Sequence, residues 1–225
     1  MSADIEELKK YENKILNMDC IDFLKNCPDN YFDLVLTDPP YGIGEAAGKN
    51  KNRGYLAVAK DYGNKDWDNK IPDKTIFSEI KRVSKNQIIF GGNYFVEFLE
   101  NSSCWLVWDK NNFGTNFADC ELAWTNFKSA VRKYKWTWNG MLQEDMKNKD
   151  IRIHPTQKPL KLFEMILRDY SNENDLVLDC FSGSGTTAVA CHNLKRRFIC
   201  IERDTDYYNA SVERLKIAQS QLKLF

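Results

Sequence analysis

Short apolar strands alternate with helical segments in the last third of the sequence, and this alternation limits the choice of fold more than any other feature. The pattern predicts a buried strand over 175–179, a glycine-rich turn leading into a helix over 183–194, and a further strand over 197–202. Strands that alternate with helices form a mainly parallel sheet, whose ligands bind at the carboxyl ends of the strands. The sequence therefore predicts an α/β fold.

The first part of the chain shows the same alternation. The pattern predicts a strand over 14–19, a helix over 20–27 and a buried strand over 32–37, which ends directly before Asp38. The remaining predicted elements are strands over 87–92, 104–110, 120–125 and 130–138, and helices over 73–84, 93–101, 159–170 and from Asp204 or Thr205 onwards. We therefore expect Asp38 at the edge of the sheet where ligands bind.

Length, charge and cysteine content exclude several classes of protein. A chain of 225 residues is long enough for one α/β domain, and we expect a single domain over 1–225 with inserts at 42–72 and 111–150. The formal net charge is zero, so contact with nucleic acid would depend on a local basic patch. The seven cysteines lack CxxC spacing, which favours reduced thiols in the cytoplasm and no metal site. The sequence shows neither a membrane-spanning segment nor a signal peptide.

The glycine-rich turn points to a cofactor that contains a nucleoside. Gly183 and Gly185 lie between a strand and a helix, and Glu202 ends the next strand about 20 residues later, where dinucleotide-binding folds place a carboxylate for the ribose hydroxyls. NAD fits this spacing, and a purely structural turn is the alternative. Asp179 precedes the turn, and its charge would repel a pyrophosphate but attract an ammonium group. S-adenosylmethionine, which carries an ammonium group and no phosphate, is therefore favoured over NAD.

The sequence "TDPPYG" at 37–42 has the chemistry of a clamp for an aromatic amine. An amine such as adenine N6 is a poor nucleophile because its lone pair is delocalised into the ring. The Asp38 carboxylate and the Pro39 carbonyl can accept both N–H bonds, while Pro39 and Pro40 stiffen the turn and offer no competing donor. Tyr41 can stack on the ring. The alternative is a stiff turn that merely ends a strand.

Taken together, "TDPPYG" and "DCFSGSGTTAVA", with "HPTQKPLKLFEMIL" directly upstream of the latter, resemble the β group of S-adenosylmethionine-dependent DNA amino-methyltransferases. Members of this group methylate adenine N6 or cytosine N4, and their motif order is circularly permuted. The resemblance spans nearly the whole chain. The short chain is also similar to the methyltransferases of restriction-modification systems and phages. It implies a Rossmann-like methyltransferase fold with a mostly parallel seven-stranded sheet and helices on both faces. S-adenosylhomocysteine would be the product of the cofactor.

The resemblance also assigns roles to individual residues. Asp38, Pro39, Pro40 and Tyr41 would hold a base flipped out of the duplex. The residues implied around the cofactor are Asp19, Cys20, Asp38, His154, Thr156, Lys158, Asp179, Phe181, Gly183, Ser184, Gly185, Thr186 and Glu202. Among these, Lys158 would lie near the carboxylate of the cofactor. His154 is included only weakly, because a capping or packing role is an equal alternative.

Two basic segments are candidates for contact with double-stranded DNA, the expected partner. One combines aromatic side chains with Lys128, Arg132, Lys133 and Lys135, a composition that suits phosphate contact and stacking. Its alternative is a sheet edge with solvated lysines and buried tryptophans. The other segment contains Lys49, Lys51 and Arg53, and its alternative is disorder. No separate target-recognition domain is evident, and a homodimer and a cognate restriction endonuclease are further expected partners.

Rival functions differ in which motif they require. An Asp as the first motif residue favours adenine N6, whereas Ser is commoner in cytosine-N4 enzymes, so cytosine N4 is the main alternative. An NAD oxidoreductase would need the glycine turn but no clamp, and an inactive DNA-binding module would need neither. Methylation at cytosine C5 requires a thiolate nucleophile, typically in a Pro-Cys pair, and the chain has only Cys27-Pro28 in the opposite order. We therefore expect an adenine-N6 DNA methyltransferase.

Overall fold

The computed structural model describes residues 5–44, 68–112, 118–139 and 142–221. The helices in these ranges are α1 (Ile5–Lys9), α2 (Cys20–Leu24), α3 (Lys74–Val83), α4 (Leu160–Tyr170), α5 (Thr186–Asn193) and α6 (Thr205–Ser220). The strands are β1 (Lys14–Asn17), β2 (Phe32–Thr37), β3 (Ser84–Phe90), β4 (Trp105–Asp109), β5 (Cys120–Thr125), β6 (Arg132–Lys135), β7 (Trp138–Asn139), β8 (Leu142–Gln143), β9 (Leu176–Asp179) and β10 (Arg197–Glu202). None of these helices combines the length and the apolar character that crossing a bilayer requires.

The main sheet has the strand order β1-β10-β9-β2-β3-β5-β4-β6. Its first five strands are parallel, β5 runs antiparallel to β3 and β4, and β6 pairs in parallel with β4. The predicted α/β fold with a mostly parallel sheet is confirmed. The sheet has eight strands in the described ranges, whereas seven were predicted. The eighth strand, β6, lies within the strand predicted over 130–138; its Tyr134 ring is buried against the core while its neighbours in the strand stay exposed.

Helices cover both faces of the sheet, as predicted. The side chains of β2 alternate between the faces, as strand geometry requires. Leu34 and Leu36 belong to one buried cluster, together with apolar residues of α4, α5 and α6, while Val35 belongs to a second cluster with residues of α2 and α3. A strand buried on both sides in this way is typical of a parallel α/β sheet.

The helix predicted over 93–101 is wrong. The chain forms only a 3-10 turn, Gly92–Tyr94, followed by further turns. Gly91 adopts the left-handed conformation with φ 67°, which starts the turn, and consecutive glycines disfavour a helix. The indole N–H of Trp124 then donates to the carbonyl of Glu100 at 2.7 Å and fixes the end of the segment. This irregular segment places an aromatic ring, that of Tyr94, beside the candidate site.

The ends of the other helices follow the predicted signals. The side chain of Asp204 accepts from the backbone N–H groups of Asp206 and Tyr207, so Asp204 caps α6 as predicted. Asp73 caps α3 in the same way through Thr75, and Pro159 directly precedes α4. Strand β3 begins at Ser84, earlier than the predicted start at 87, and α1 was not predicted.

Candidate active site

Two sequence motifs meet at the carboxyl edge of the sheet. Strands β2 and β9 are neighbours in the parallel part, so the residues that follow them lie side by side. Thr37, the last residue of β2, donates its hydroxyl to Oδ1 of Asp179, the last residue of β9, at 2.8 Å. The segment that starts at Asp38 and the glycine loop that follows Asp179 are therefore joined by one hydrogen bond.

The Asp38 carboxylate is held by two donors. The Tyr41 hydroxyl donates to Oδ1 at 2.6 Å, and the Lys158 ammonium donates to Oδ2. Pro39 is buried, and neither it nor Pro40 has an N–H group to compete for the carboxylate. Two carboxylate oxygens offer about four lone-pair sites, so Asp38 retains acceptor capacity for a further N–H donor.

Asp38 belongs to a cluster of four charged residues, which also contains Lys158, Glu121 and Lys110 and is called the charge cluster below. Lys158 Nζ lies 3.1 Å from Glu121 Oε2, and Lys110 Nζ lies 2.5 Å from Glu121 Oε1. The cluster contains as many cations as anions. Burial by itself favours the neutral acid, but the Lys158 and Lys110 ammonium groups lower the pKa of Glu121 to about 2.

The same balance keeps Lys158 charged. Burial alone would lower the pKa of Lys158, but the Asp38 and Glu121 carboxylates outweigh it and raise that pKa. The pKa of Asp38 is raised, chiefly by burial and also by Glu121, while Lys158 opposes the shift. Glu121 and Lys110 were missed in the sequence. The signal was a single acidic residue within an otherwise apolar strand, "CELAWT".

The ring of Tyr41 is positioned by Gly91 and by a second tyrosine. A Cβ atom at Gly91 would lie 2.1 Å from the Tyr41 ring, so only glycine fits at this position. The ring of Tyr94 stacks on Tyr41 with centroids 4.8 Å apart and an interplanar angle of 14°, and Phe95 packs against it edge-on. Tyr41 therefore presents a fixed aromatic surface beside Asp38.

The glycine loop has the backbone that its sequence predicts. Gly183 and Gly185 both adopt positive φ, 50° and 72°. The N–H of Gly183 donates to Glu202 Oε2 at 2.8 Å, and the N–H of Asp204 donates to Glu202 Oε1 at 2.7 Å. Glu202 thus holds the loop against the end of β10, and its carboxylate keeps lone pairs for further donors.

Two carboxylates at the loop, those of Asp179 and Glu202, accept hydrogen bonds from neutral donors. Asp179 is 3% exposed and accepts hydrogen bonds from Thr37, Thr187 and the N–H of Phe181, all of them neutral donors. Burial raises the pKa of Asp179 to about 6 and that of Glu202 to about 7. In the described ranges neither carboxylate forms a salt bridge. The loop is therefore a place where a ligand with a positive charge would be stabilised.

The hydroxyl groups of the loop point into the protein. Arg214 of α6 donates to the Ser184 carbonyl at 3.0 Å, to the Ser184 hydroxyl at 3.2 Å and to the Thr186 hydroxyl at 2.9 Å. Burial lowers the pKa of Arg214. Arg214 was also missed, because an arginine in the amphipathic helix "SVERLK" has no distinguishing sequence signal. Ser184 and Thr186 hold the loop, so their contacts with a cofactor would come from the backbone.

The chain is similar to known DNA methylases in sequence and in fold. The family model for DNA methylases matches residues 123–213. The type II methyltransferase M.HinfI of Haemophilus influenzae is 28% identical, over 94% of this chain and 70% of its own. M2.MboI of Moraxella bovis is 29% identical, over 87% and 84% of the two chains. The M1.HpyAVI–SAM complex has 27% identity and a TM-score of 0.54, with coverage of 90% and 98%.

These matches support a DNA methyltransferase. They favour the N6/N4 amino-methyltransferase type, as the resemblance of the chain's motifs implied. The PvuII DNA methyltransferase, which is cytosine-N4-specific, shares the fold of this methyltransferase with a TM-score of 0.59 at 17% identity, over 94% of this chain and 87% of that one.

The remaining predicted cofactor residues of the methyltransferase lie around the loop. Asp19 follows β1, in which Asn17 pairs with Glu202 of β10. The side chain of Asp19 caps α2 by accepting from the N–H of Ile21. Cys20 is buried, and Phe181 is partly buried directly after the end of β9. These placements bring the predicted residues to one edge of the sheet. Their contacts with a cofactor stay predictions.

The residues of the segment "HPTQKP" lie near two different parts of the site, the glycine loop and the charge cluster. The His154 ring lies 3.6 Å from where a Cβ of Gly183 would be, contacts the Tyr207 ring edge-on at 4.2 Å, and places Nδ1 3.2 Å from the Thr156 hydroxyl. His154 therefore packs the loop against α6. The ammonium of Lys158 lies in the charge cluster, so its predicted contact with the carboxylate of the cofactor stays a prediction.

The basic residues predicted to contact DNA that the structure describes are divided between two parts of the sheet. Lys128, Arg132, Lys133 and Lys135 are all exposed. Lys128 follows Asn126, whose side chain binds the Lys85 carbonyl at the start of β3, so Lys128 lies at the edge opposite Asp38. The other three residues lie on β6, the outermost strand.

The aromatic side chains of this segment pack in the protein. Trp124, Tyr134 and Trp138 are buried, which supports the alternative of a sheet edge over a stacking surface for DNA. Lys49, Lys51 and Arg53 lie outside the described residues. Of the four described basic residues predicted to bind DNA, Lys133 and Lys135 lie nearest the carboxyl end of β6 and are the best placed on the side of Asp38.

Proposed function

We propose that this methyltransferase transfers a methyl group from S-adenosylmethionine to N6 of an adenine flipped out of double-stranded DNA. The observation that supports this most directly is the hydrogen bond from Thr37 to Asp179, because it sets the clamp that begins at Asp38 beside the glycine loop. An acceptor for an amine and a loop for a cofactor are thereby neighbours. The preference for adenine rests on Asp as the first residue of the clamp.

The residues at the loop fit S-adenosylmethionine better than NAD. Glu202 can accept from the ribose hydroxyls, and the buried Asp179 can neutralise an ammonium group. A pyrophosphate would bring further negative charge to two carboxylates whose pKa values burial already raises. When bound, S-adenosylmethionine supplies a methyl group on a positively charged sulfur and keeps the electron pair of the broken S–C bond. M1.HpyAVI, with 27% identity, was solved as a complex with SAM.

The clamp prepares the amine of the base. Asp38 accepts one N–H and the Pro39 carbonyl accepts the other, so the nitrogen becomes pyramidal and its lone pair points outward. The nitrogen forms the new N–C bond, and the proton it then loses passes to Asp38 or to water. Tyr41, fixed by Gly91, supports the ring of the base. Alignment of the reacting groups and charge complementarity supply most of the acceleration.

A base inside a duplex cannot enter this site, so it must be flipped at a cost of a few kcal/mol. Lys133 and Lys135 are the described residues that we propose for contact with the DNA backbone, together with Lys49, Lys51 and Arg53, which lie outside the described residues. A homodimer and a cognate restriction endonuclease stay predictions.

The test is to identify the methylated nucleoside. Purified protein is incubated with mixed-sequence duplex DNA and isotopically labelled S-adenosylmethionine, and the DNA is digested and analysed by mass spectrometry. We expect labelled N6-methyladenine. Labelled N4-methylcytosine would show that the target base is cytosine and not adenine, with the proposed clamp chemistry unchanged. The absence of label in every base would overturn the proposed function.

A further inference from the structure

The Lys158 ammonium is shared between Asp38 and a carboxylate outside the predicted motifs. Lys158 Nζ contacts Asp38 Oδ2 and lies 3.1 Å from Glu121 Oε2. The rings of Tyr41 and Phe90 lie 5.5 Å and 5.4 Å from it. The Lys158 side chain is only 6% exposed. Two carboxylates and two aromatic rings therefore enclose this cation.

This arrangement conflicts with what the proposed clamp has to do. Asp38 must accept an N–H of the base, whose hydrogen carries a partial positive charge. Asp38 keeps free lone pairs, but the positive charge of an ammonium held on Oδ2 weakens the carboxylate as an acceptor and repels that hydrogen. Productive binding therefore requires the ammonium to withdraw from Asp38 without losing its counter-ion, because an unpaired buried charge is costly.

Glu121 is the group to which the ammonium can withdraw. Its Oε2 already lies within ion-pair distance of Lys158, and it also lies 3.4 Å from the Tyr41 hydroxyl. Lys110 holds the other oxygen, Oε1, at 2.5 Å, so the position of the carboxylate is fixed from the far side. With a pKa of about 2, Glu121 is ionised at every pH at which the protein would be assayed.

We propose that Glu121 is a positioning residue, which takes over the Lys158 ammonium when the base enters and so frees Asp38 to accept the target amine. This inference rests on the proposed function of Asp38 as the acceptor. Glu121 does not touch the reacting atoms in this scheme but acts through Lys158 and Tyr41.

The first test is Glu121→Gln, which keeps the shape and removes the charge. Lys158 then has only Asp38 as a carboxylate partner in the cluster, and the ammonium stays on the clamp. We expect kcat at saturating cofactor to fall roughly tenfold or more, with the Kd for S-adenosylmethionine unchanged by calorimetry.

The pH profile separates this role from a structural one. The titratable and charged groups that interact with Asp38 in the described structure are Lys158, Tyr41, Glu121 and Asp179. Because the negative charge of Glu121 raises the pKa of Asp38, Glu121→Gln shifts the acidic limb of kcat to lower pH. Lys110→Gln removes a positive charge from the other side of Glu121 and shifts the limb to higher pH, which gives a second variant if Glu121→Gln does not fold. A loss of packing would shift neither limb.

Two further variants complete the design. In a Lys158→Met background the ammonium is absent, so adding Glu121→Gln changes kcat little, whereas independent roles would give additive losses. Glu79→Gln is the matched control, because Glu79 also pairs with a cation, Arg82, and its side chain is 18% exposed against 20% for Glu121. We expect the control to keep the kcat and the pH profile of the wild type.

The outcomes are distinguishable. Opposite shifts of the limb in Glu121→Gln and Lys110→Gln support the inference. A folded Glu121→Gln with the kcat of the wild type, or limbs that do not move in either variant, overturns it. If the wild-type protein itself methylates no base, the proposed function fails, which is a separate result.

Discussion

The two halves of the site treat buried carboxylates in opposite ways. In the charge cluster each carboxylate has an ammonium neighbour, whereas Asp179 and Glu202 at the glycine loop have, within the described part of the chain, only neutral donors. The contrast is clearest between two glutamates: the pKa of Glu121 is lowered to about 2, and that of Glu202 is raised to about 7. The protein supplies its own counter-ions in one half and leaves them to a ligand in the other.

This difference separates the two ligands by charge. A half that is already neutral gains nothing electrostatically from an ion and suits an uncharged base. A half with unpaired carboxylates favours a ligand that brings an ammonium and a sulfonium group. The same edge of the sheet can therefore bind two ligands in neighbouring positions without exchanging them.

Removal of the Asp38 carboxylate has the largest expected effect. In Asp38→Ala the amine loses one of its acceptors and Lys158 loses a partner, so we expect methyl transfer to fall by roughly a thousandfold or more. Cofactor affinity, which depends on the other half, is largely retained in calorimetry. Asp29→Ala, which removes an exposed carboxylate paired with Arg82, is the control. Unaltered turnover in Asp38→Ala would refute the role of the clamp.

Two glycine substitutions affect the halves separately. Gly91→Ala forces a Cβ to within 2.1 Å of the Tyr41 ring, so the ring must move, and we expect kcat to fall roughly a hundredfold with the Kd of the cofactor unchanged. At Gly183, with φ 50°, an added Cβ meets nothing closer than 3.6 Å, so Gly183→Ala strains only the loop and weakens cofactor binding about fivefold. If both variants lose cofactor affinity equally, the halves are not independent.

Cofactor affinity should depend on pH through the loop carboxylates. Asp179 and Glu202 lose their protons as the pH rises through about 6 and about 7, and only their charged forms attract an ammonium. We expect the affinity for S-adenosylmethionine to rise roughly tenfold between about pH 5.5 and about pH 7.5. Asp179→Asn should flatten the lower part of the curve. Affinity that is flat over the whole range in the wild type would show that neither group faces a cationic part of the cofactor.

The smallest expected effect is on the stability of the ligand-free protein. The folded-state pKa of Asp179 lies above its unfolded value, so the folded protein binds more protons, and its stability falls as the pH rises between about 4 and about 6. At neutral pH, Asp179→Asn should therefore raise the free energy of unfolding by about 1–2 kcal/mol. Asp33→Asn should lower it, because Lys85 and the Leu176 N–H outweigh burial and lower the pKa of Asp33. Urea unfolding of both variants measures whether the free energy of unfolding rises in Asp179→Asn and falls in Asp33→Asn.

The sequence predicted the elements whose signals are local. Buried apolar strands, the glycine turn and the cap at Asp204 depend on neighbouring residues, and the structure contains them close to the predicted positions. Asp38 and Asp179 could be placed at one edge because parallel strands share their carboxyl ends. The helix over 93–101 failed because its apolar spacing concealed the effect of Gly91 and Gly92, whose backbone fits under Tyr41 and against Trp124.

The residues that were missed depend on pairing between distant segments. Glu121 reaches Lys158 only because β5 pairs antiparallel with β3, and sequence patterns do not specify that register. Arg214 contacts the loop because α6 packs beside α5, although its position in the helix resembles a surface site. For the basic residues of 128–135 the sequence leaves two interpretations open, a DNA-contact surface and a sheet edge, and three of these residues lie on β6, the outermost strand.

The order of the strands also affects how the protein is made. β1 pairs with β10, and β2 lies between β9 and β3, so the middle of the sheet combines segments from both ends of the chain. While the ribosome is still translating the segments before β9, the apolar strand β2 has one unpaired edge, which favours binding by chaperones or pairing with other chains. Completion of the sheet waits for β9 and β10, and the segment up to the glycine loop must leave the ribosome before the clamp gains that loop as its neighbour.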